Sequence, residues 1–119
     1  MLLRIPGKVT LPIPFVVPSD AGSFTLALTK VPPGKNLIAY GDLLTWPEFV
    51  KLWSKITGAK AEFESSEVAD MDKLAPGGLG DELGQMHAYA QEFGYWGGGD
   101  KTVMIMIMII IYDLADIMP

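Results

Sequence analysis

Nine consecutive apolar residues, Val103 to Ile111 (VMIMIMIII), constrain this chain more than any other feature. A membrane-spanning helix needs about 20 apolar residues, so the run is too short to be one. Its isoleucines favour a strand covered on both faces, and left without cover it is an aggregation hazard. Such a strand demands a partner. Pairing with its copy in a second chain, as an added or swapped strand in a homodimer, would supply one. A Met/Ile repeat is also what a low-complexity tail foreign to the fold would show, and residues 101–119 are set apart from 1–100 on that ground. The whole chain has 119 residues, half of them apolar and 19% charged, enough for one domain with a real core.

Upstream of the run, turn chemistry divides the chain into short elements. Pro6, Pro12, Pro14 and Pro18 confine residues 5–18 to extended, irregular or edge structure. Asp20 precedes an expected short helix, Val31-Pro32-Pro33-Gly34 breaks the chain, and Asn36 to Tyr40 is a short apolar run with strand character. Thr45-Trp46-Pro47-Glu48 is a capping box with proline in the first turn, where no N–H is needed. It predicts a helix over 46–57 that docks through Trp46, Phe49, Val50, Trp53 and Ile56 and stops at Gly58. Ala61 to Glu64 alternates as a half-buried strand does, and Ser65 or Ser66 is expected to cap a short helix ending near Leu74. A longer helix is expected from Leu79 to Phe93, with an apolar stripe of Leu79, Leu83, Met86, Ala90 and Phe93 and Gly94 as its C-cap.

The chemistry of catalysis is thin. With no cysteine there are no disulfides, thiolate metal sites or cysteine nucleophiles, and with His87 as the single histidine there is no multi-histidine metal site. The carboxylates Glu62, Glu64, Glu67, Asp70 and Asp72 lack the spacing of an EF-hand loop and read as solvated. Gly77-Gly78-Leu79-Gly80 precedes a helix but follows no strand and lacks the G-x-G-x-x-G spacing, so it reads as a turn into that helix. Gly97 to Asp100 reads as a linker. Tyr40 and Tyr95 are donors or acids without a lysine four residues on. Trp46 and Trp53 suit either stacking on a flat ligand or core packing, and His87 suits a structural place or a cleft wall. A net charge of −5 argues against nucleic acid. That charge is uneven: residues 1–60 hold seven Lys/Arg against three acids, and residues 61–119 hold two lysines against eleven acids. The halves therefore attract weakly, or the acidic face is simply solvated.

Several blocks together resemble the C-terminal part of NmrA-like proteins, atypical relatives of the short-chain dehydrogenase/reductases that are common in fungi. They are Ser19-Asp20-Ala21-Gly22-Ser23-Phe24, Gly34 to Gly41 leading into Leu44-Thr45-Trp46-Pro47-Glu48-Phe49, Pro76 to Gly80 with Glu82 to Met86, and Glu92-Phe93-Gly94-Tyr95. The resemblance implies an α/β fold, or α+β as an isolated piece: the C-terminal substrate-binding portion of a Rossmann-type fold, lacking the N-terminal half that binds NAD(P). The family's glycine motif has no counterpart here, so no cofactor is expected on this chain alone.

Two functions follow as expectations. One is a module forming a small-molecule cleft or partner-binding surface, not catalytic alone, with Tyr40, Trp46, Trp53, His87 and Tyr95 as cleft candidates and no catalytic or metal-binding residue identified. The other is a component, or small dimeric enzyme, of NAD(P)-dependent oxidoreductase or isomerase type whose cleft a partner chain completes. The expected partners are a second copy or a Rossmann-bearing chain, with no nucleic acid and no membrane span. Because Met1 to Lys8 carry no secretion-signal stretch, the expected location is cytoplasmic.

Overall fold

The computed structural model of the protein describes residues 1–99 and 103–107. In chain order the elements are β1 (Leu2–Pro6), β2 (Ile13–Phe15), a 3-10 turn (Pro18–Asp20), α1 (Ala21–Leu28), β3 (Asn36–Tyr40), β4 (Asp42–Leu44), α2 (Trp46–Thr57), β5 (Glu62–Ser66), α3 (Val68–Leu74), α4 (Leu79–Phe93) and β6 (Val103–Ile107). Helices and strands are mixed, as expected of an α/β chain. The described residues form two compact units, one from residues 1–13 and 44–98, the other from residues 14–43, 99 and 103–107.

In the first unit β1 and β5 pair in parallel, Leu2 opposite Glu62 through Pro6 opposite Ser66. Helix α2 packs on β5, α4 packs on β1, and α3 pairs with α4. Ile5, Pro6 and Val50 are buried there. The capping box forms as the sequence requires. Thr45 N–H donates to Glu48 Oε2 at 2.8 Å, and Glu48 N–H donates to Thr45 Oγ1 at 3.4 Å. The bond from Thr45 N–H, and a second from Thr45 Oγ1 to the same Glu48 Oε2 at 2.8 Å, hold the Glu48 carboxyl below its usual range. Gly58 ends α2 at φ +71°, where its N–H donates to Ser54 O. Thr45→Ala should lower stability by about 1 kcal/mol, the usual effect of removing an N-cap. Tryptophan fluorescence during urea unfolding checks it, and an unchanged midpoint contradicts it.

The α3–α4 pair is unusually close, and two glycines explain why. A Cβ on Gly80 would land on the Met71 carbonyl oxygen and 2.6 Å from Asp72 Cα, while one on Gly84 would meet Val68 Cγ1 at 3.0 Å. Gly77 and Gly78 lead into α4 at φ +96° and +95°, a region L side chains rarely adopt. These glycines serve the turn and the helix contact.

This packing decides which way α4 faces. Its buried positions are Gly80, Gly84 and Gln91, whereas of the expected inward residues Leu83 and Ala90 are half-buried and Leu79, Met86 and Phe93 are exposed. The reason is steric: α3 lies against the glycine face, which turns the large side chains outward. Helix α2 departs less from expectation, with Val50 buried, Trp46, Phe49 and Trp53 half-buried, and only Ile56 facing out at 75% exposure. Neither serine caps α3. Its N-cap is Glu67, without a side-chain hydrogen bond, because Ser65 Oγ donates to Gly7 O at 2.8 Å and Ser66 Oγ is buried elsewhere.

Gln91, buried at 6% exposure, fastens the proline-rich segment to α4. Its Nε2 donates to Leu11 O and its Oε1 accepts from Leu11 N–H, both at 3.1 Å, as a neighbouring strand would. Val9, two residues away, sits at φ +49°. A β-branched residue there is strained by about 1–3 kcal/mol, which the surrounding contacts must outweigh.

In the second unit Phe24 and Ala27 of α1 form a small core with Val31, Leu37 and Ala39. Strand β2 pairs with β4, and β6 pairs in parallel with β3, Asn36 opposite Val103 through Tyr40 opposite Ile107. The apolar run thus finds a partner strand within its own chain. Asp100, residues 108–111 of the run and the tail to Pro119 lie outside the described residues.

Candidate functional site

Helix α4 carries the most distinctive exposed surface of the first unit. Met86, Tyr89 and Phe93, at spacings of three and four, are 53%, 54% and 51% exposed. The Tyr89 and Phe93 rings lie 4.9 Å apart at a tilt of 41°. Glu82 and Glu92 are exposed on the same helix. Scattered exposed hydrophobics need no explanation, whereas a contiguous helical stripe of them is a candidate surface for interaction. The wider pattern agrees. Among the described residues five hydrophobics form the buried core, while fourteen large ones are exposed.

Behind this stripe, α4 meets the start of α2. The His87 and Trp46 rings contact edge to face with centroids 5.6 Å apart, and Trp46 meets Phe49 in the same way at 5.9 Å. Burial pushes the His87 pKa below its ordinary 6.5. The unfolded chain therefore takes up a proton more readily than the folded one, so stability falls as pH drops through the unfolded value and levels off below the folded one. His87→Gln should remove that step from a plot of unfolding midpoint against pH between 7 and 5, and an unchanged profile contradicts the assignment.

Of the five residues expected to line a cleft, Trp46, Trp53, His87 and Tyr95 belong to the first unit and Tyr40 to the second. Trp46 and His87 touch, and Trp53 lies half-buried two turns further along α2. Tyr95 is exposed after α4, and Tyr40 is buried at the end of β3 in the other unit. The clefts that do form in the first unit are lined by other side chains. One of about 330 Å³ lies between Gly7, Lys8, Ala88, Gln91 and Glu92. Another of about 350 Å³ lies between Arg4, Glu64, Ser66, Asp70 and Lys73. In the second cleft the charges already pair, Arg4 Nε with Glu64 Oε2 and Lys73 Nζ with Asp70 Oδ1, each at 2.8 Å. Among the described residues no three side chains converge as metal ligands, and no helix is long and apolar enough to cross a membrane.

Sequence reasoning missed the stripe because it placed Met86 and Phe93 in the core. A signal for the alternative was present: Gly80 and Gly84, four apart, offer a second face on which a neighbouring helix can settle. Compared with known protein families, curated proteins and solved structures, the chain matches none.

Proposed function

We propose that this chain is a binding module, not catalytic alone, whose working surface is the outward face of α4. The observation that carries this reading is the exposed stripe of Met86, Tyr89 and Phe93 on a helix whose other face is already packed on α3 and β1. The resemblance to the C-terminal part of NmrA-like proteins supports it, since that part packs on a larger body. The cysteine-free composition suits the reducing cytoplasm, where we place the protein. The alternative of an enzyme component gains no support from the first unit, where the two clefts described are lined by none of the expected residues.

The test is the double variant Met86→Ser with Phe93→Ser, unfolded in urea at about 1 µM so that association contributes little. If both side chains face solvent, the midpoint stays within about 0.5 kcal/mol of the parent, as for surface substitutions in general. A loss of about 3 kcal/mol or more, the usual result of truncating core side chains, would show that α4 is part of the chain's own core.

A further inference from the structure

We infer that the α4 face is covered by the α2 face of a second copy of this chain, and reciprocally. The inference rests on the proposed role of α4 and adds the identity of its occupant. Charge argues for it. The outward side of α4 combines Met86, Tyr89 and Phe93 with the carboxylates of Glu82 and Glu92. The outward side of α2 combines exposed Leu52 and Ile56 with the ammonium groups of Lys51 and Lys55, while the Glu48 carboxylate in the same groove is turned to the Thr45 N–H and hydroxyl. None of Glu82, Glu92, Lys51 and Lys55 makes an ion pair among the described residues.

Two helix faces that each set exposed apolar side chains beside charged groups, of opposite sign on the two helices, are complementary. The other symmetric arrangement, α4 against α4, fails on the same criterion. An antiparallel pairing centred near Met86 to Tyr89 would bring Glu82 of one copy towards Glu92 of the other, and like charges across an interface repel. In a twofold dimer built from α2 against α4, the contact occurs twice, each face meeting its opposite.

Charge exchange tests this. Variant one is Lys51→Glu with Lys55→Glu, and variant two is Glu82→Lys with Glu92→Lys; all four sites are exposed, so both variants should keep the parent's unfolding midpoint. Sedimentation equilibrium at tens of micromolar should show the full-length parent as a dimer that weakens several-fold between low and high salt. Each variant alone should dissociate at least tenfold more readily. An equimolar mixture should regain parent-like affinity, because both contacts in the mixed dimer again join opposite charges. A parent that sediments as a monomer overturns the inference, and so does a dimer strengthened by salt or variants whose mixture shows no recovery. None of these results touches the reading of α4 as outward-facing, which the unfolding of the serine double variant decides separately.

Discussion

Gly80→Ala should lower stability by about 3 kcal/mol or more, because its new methyl would collide with the Met71 carbonyl and with Asp72 Cα at 2.6 Å. Overpacking of this kind usually takes 1–3 kcal/mol, and here the obstacle is backbone, which cannot swing aside as a side chain can. The gain of about 1 kcal/mol in helix propensity from Gly to Ala is too small to offset it. Two companion substitutions calibrate the result. Gly84→Ala meets Val68 Cγ1 at 3.0 Å and the Val68 carbonyl oxygen at 3.3 Å, milder crowding than at Gly80 that the propensity gain partly offsets, so it should lose about 1–2 kcal/mol. Gly22→Ala in α1 meets nothing within 4 Å and should stabilise by about 0.5–1 kcal/mol. Urea midpoints of the three should fall in the order Gly22→Ala, Gly84→Ala, Gly80→Ala. If Gly80→Ala were neutral, α3 would not lie on the glycine face and the outward orientation of α4 would lose its physical cause.

The second large effect is expected at Gln91. Replacing it by leucine keeps the volume and removes both hydrogen bonds to Leu11, leaving a part-buried N–H and C=O without their partner. An unsatisfied buried polar group typically loses about 1–3 kcal/mol. With two such groups, we expect a loss of about 2–3 kcal/mol. The strained Val9 lies in the segment so released, and hydrogen exchange at the Leu11 amide should accelerate more than exchange along β5. Equal acceleration at both places would mean that Gln91 supports the unit as a whole and does not clamp this segment. Stability of Gln91→Leu within error of the parent would contradict the hydrogen-bonding role itself.

Local chemistry in the sequence was enough to locate most elements, and long-range sterics were what it lacked. Thr45 to Glu48 announces α2 because every group in a capping box is close in the chain, and Gly58 ends the helix by its own backbone freedom. Asn36 to Tyr40 forms β3 as its apolar run between turns suggests. By contrast, the orientation of α4 depends on what Gly80 and Gly84 meet, and their neighbours Val68, Met71 and Asp72 lie on another helix. A periodic apolar stripe shows that a helix has two faces without showing which one the chain covers. The same limit applies to the run beginning at Val103. Its need for a partner strand is visible in nine apolar residues, but β3, more than sixty residues earlier, is identified only by the fold.

Ser65 and Ser66 illustrate a subtler loss. Both are good capping residues by type, yet the strand continues through them to pair with β1, and α3 begins only after Glu67. The extent of the pairing decided the boundary. Trp46 and His87 were singled out by residue type alone. Each was a candidate for a cleft wall, and they do meet, but as an edge-to-face contact between α2 and α4.

The exposure of Met86 and its dependence on association are the most direct measure of the central claim. The methyl resonance of Met86, assigned by its loss in Met86→Leu, can be followed in full-length protein while a soluble paramagnetic chelate is added. In dilute solution the chelate should broaden this signal about as strongly as that of a solvent-exposed methyl, because the side chain is 53% exposed. At tens to hundreds of micromolar protein the broadening should diminish as the partner copy covers the α4 face. A Met86 methyl shielded even in dilute solution, or equally broadened at every concentration, would contradict the account.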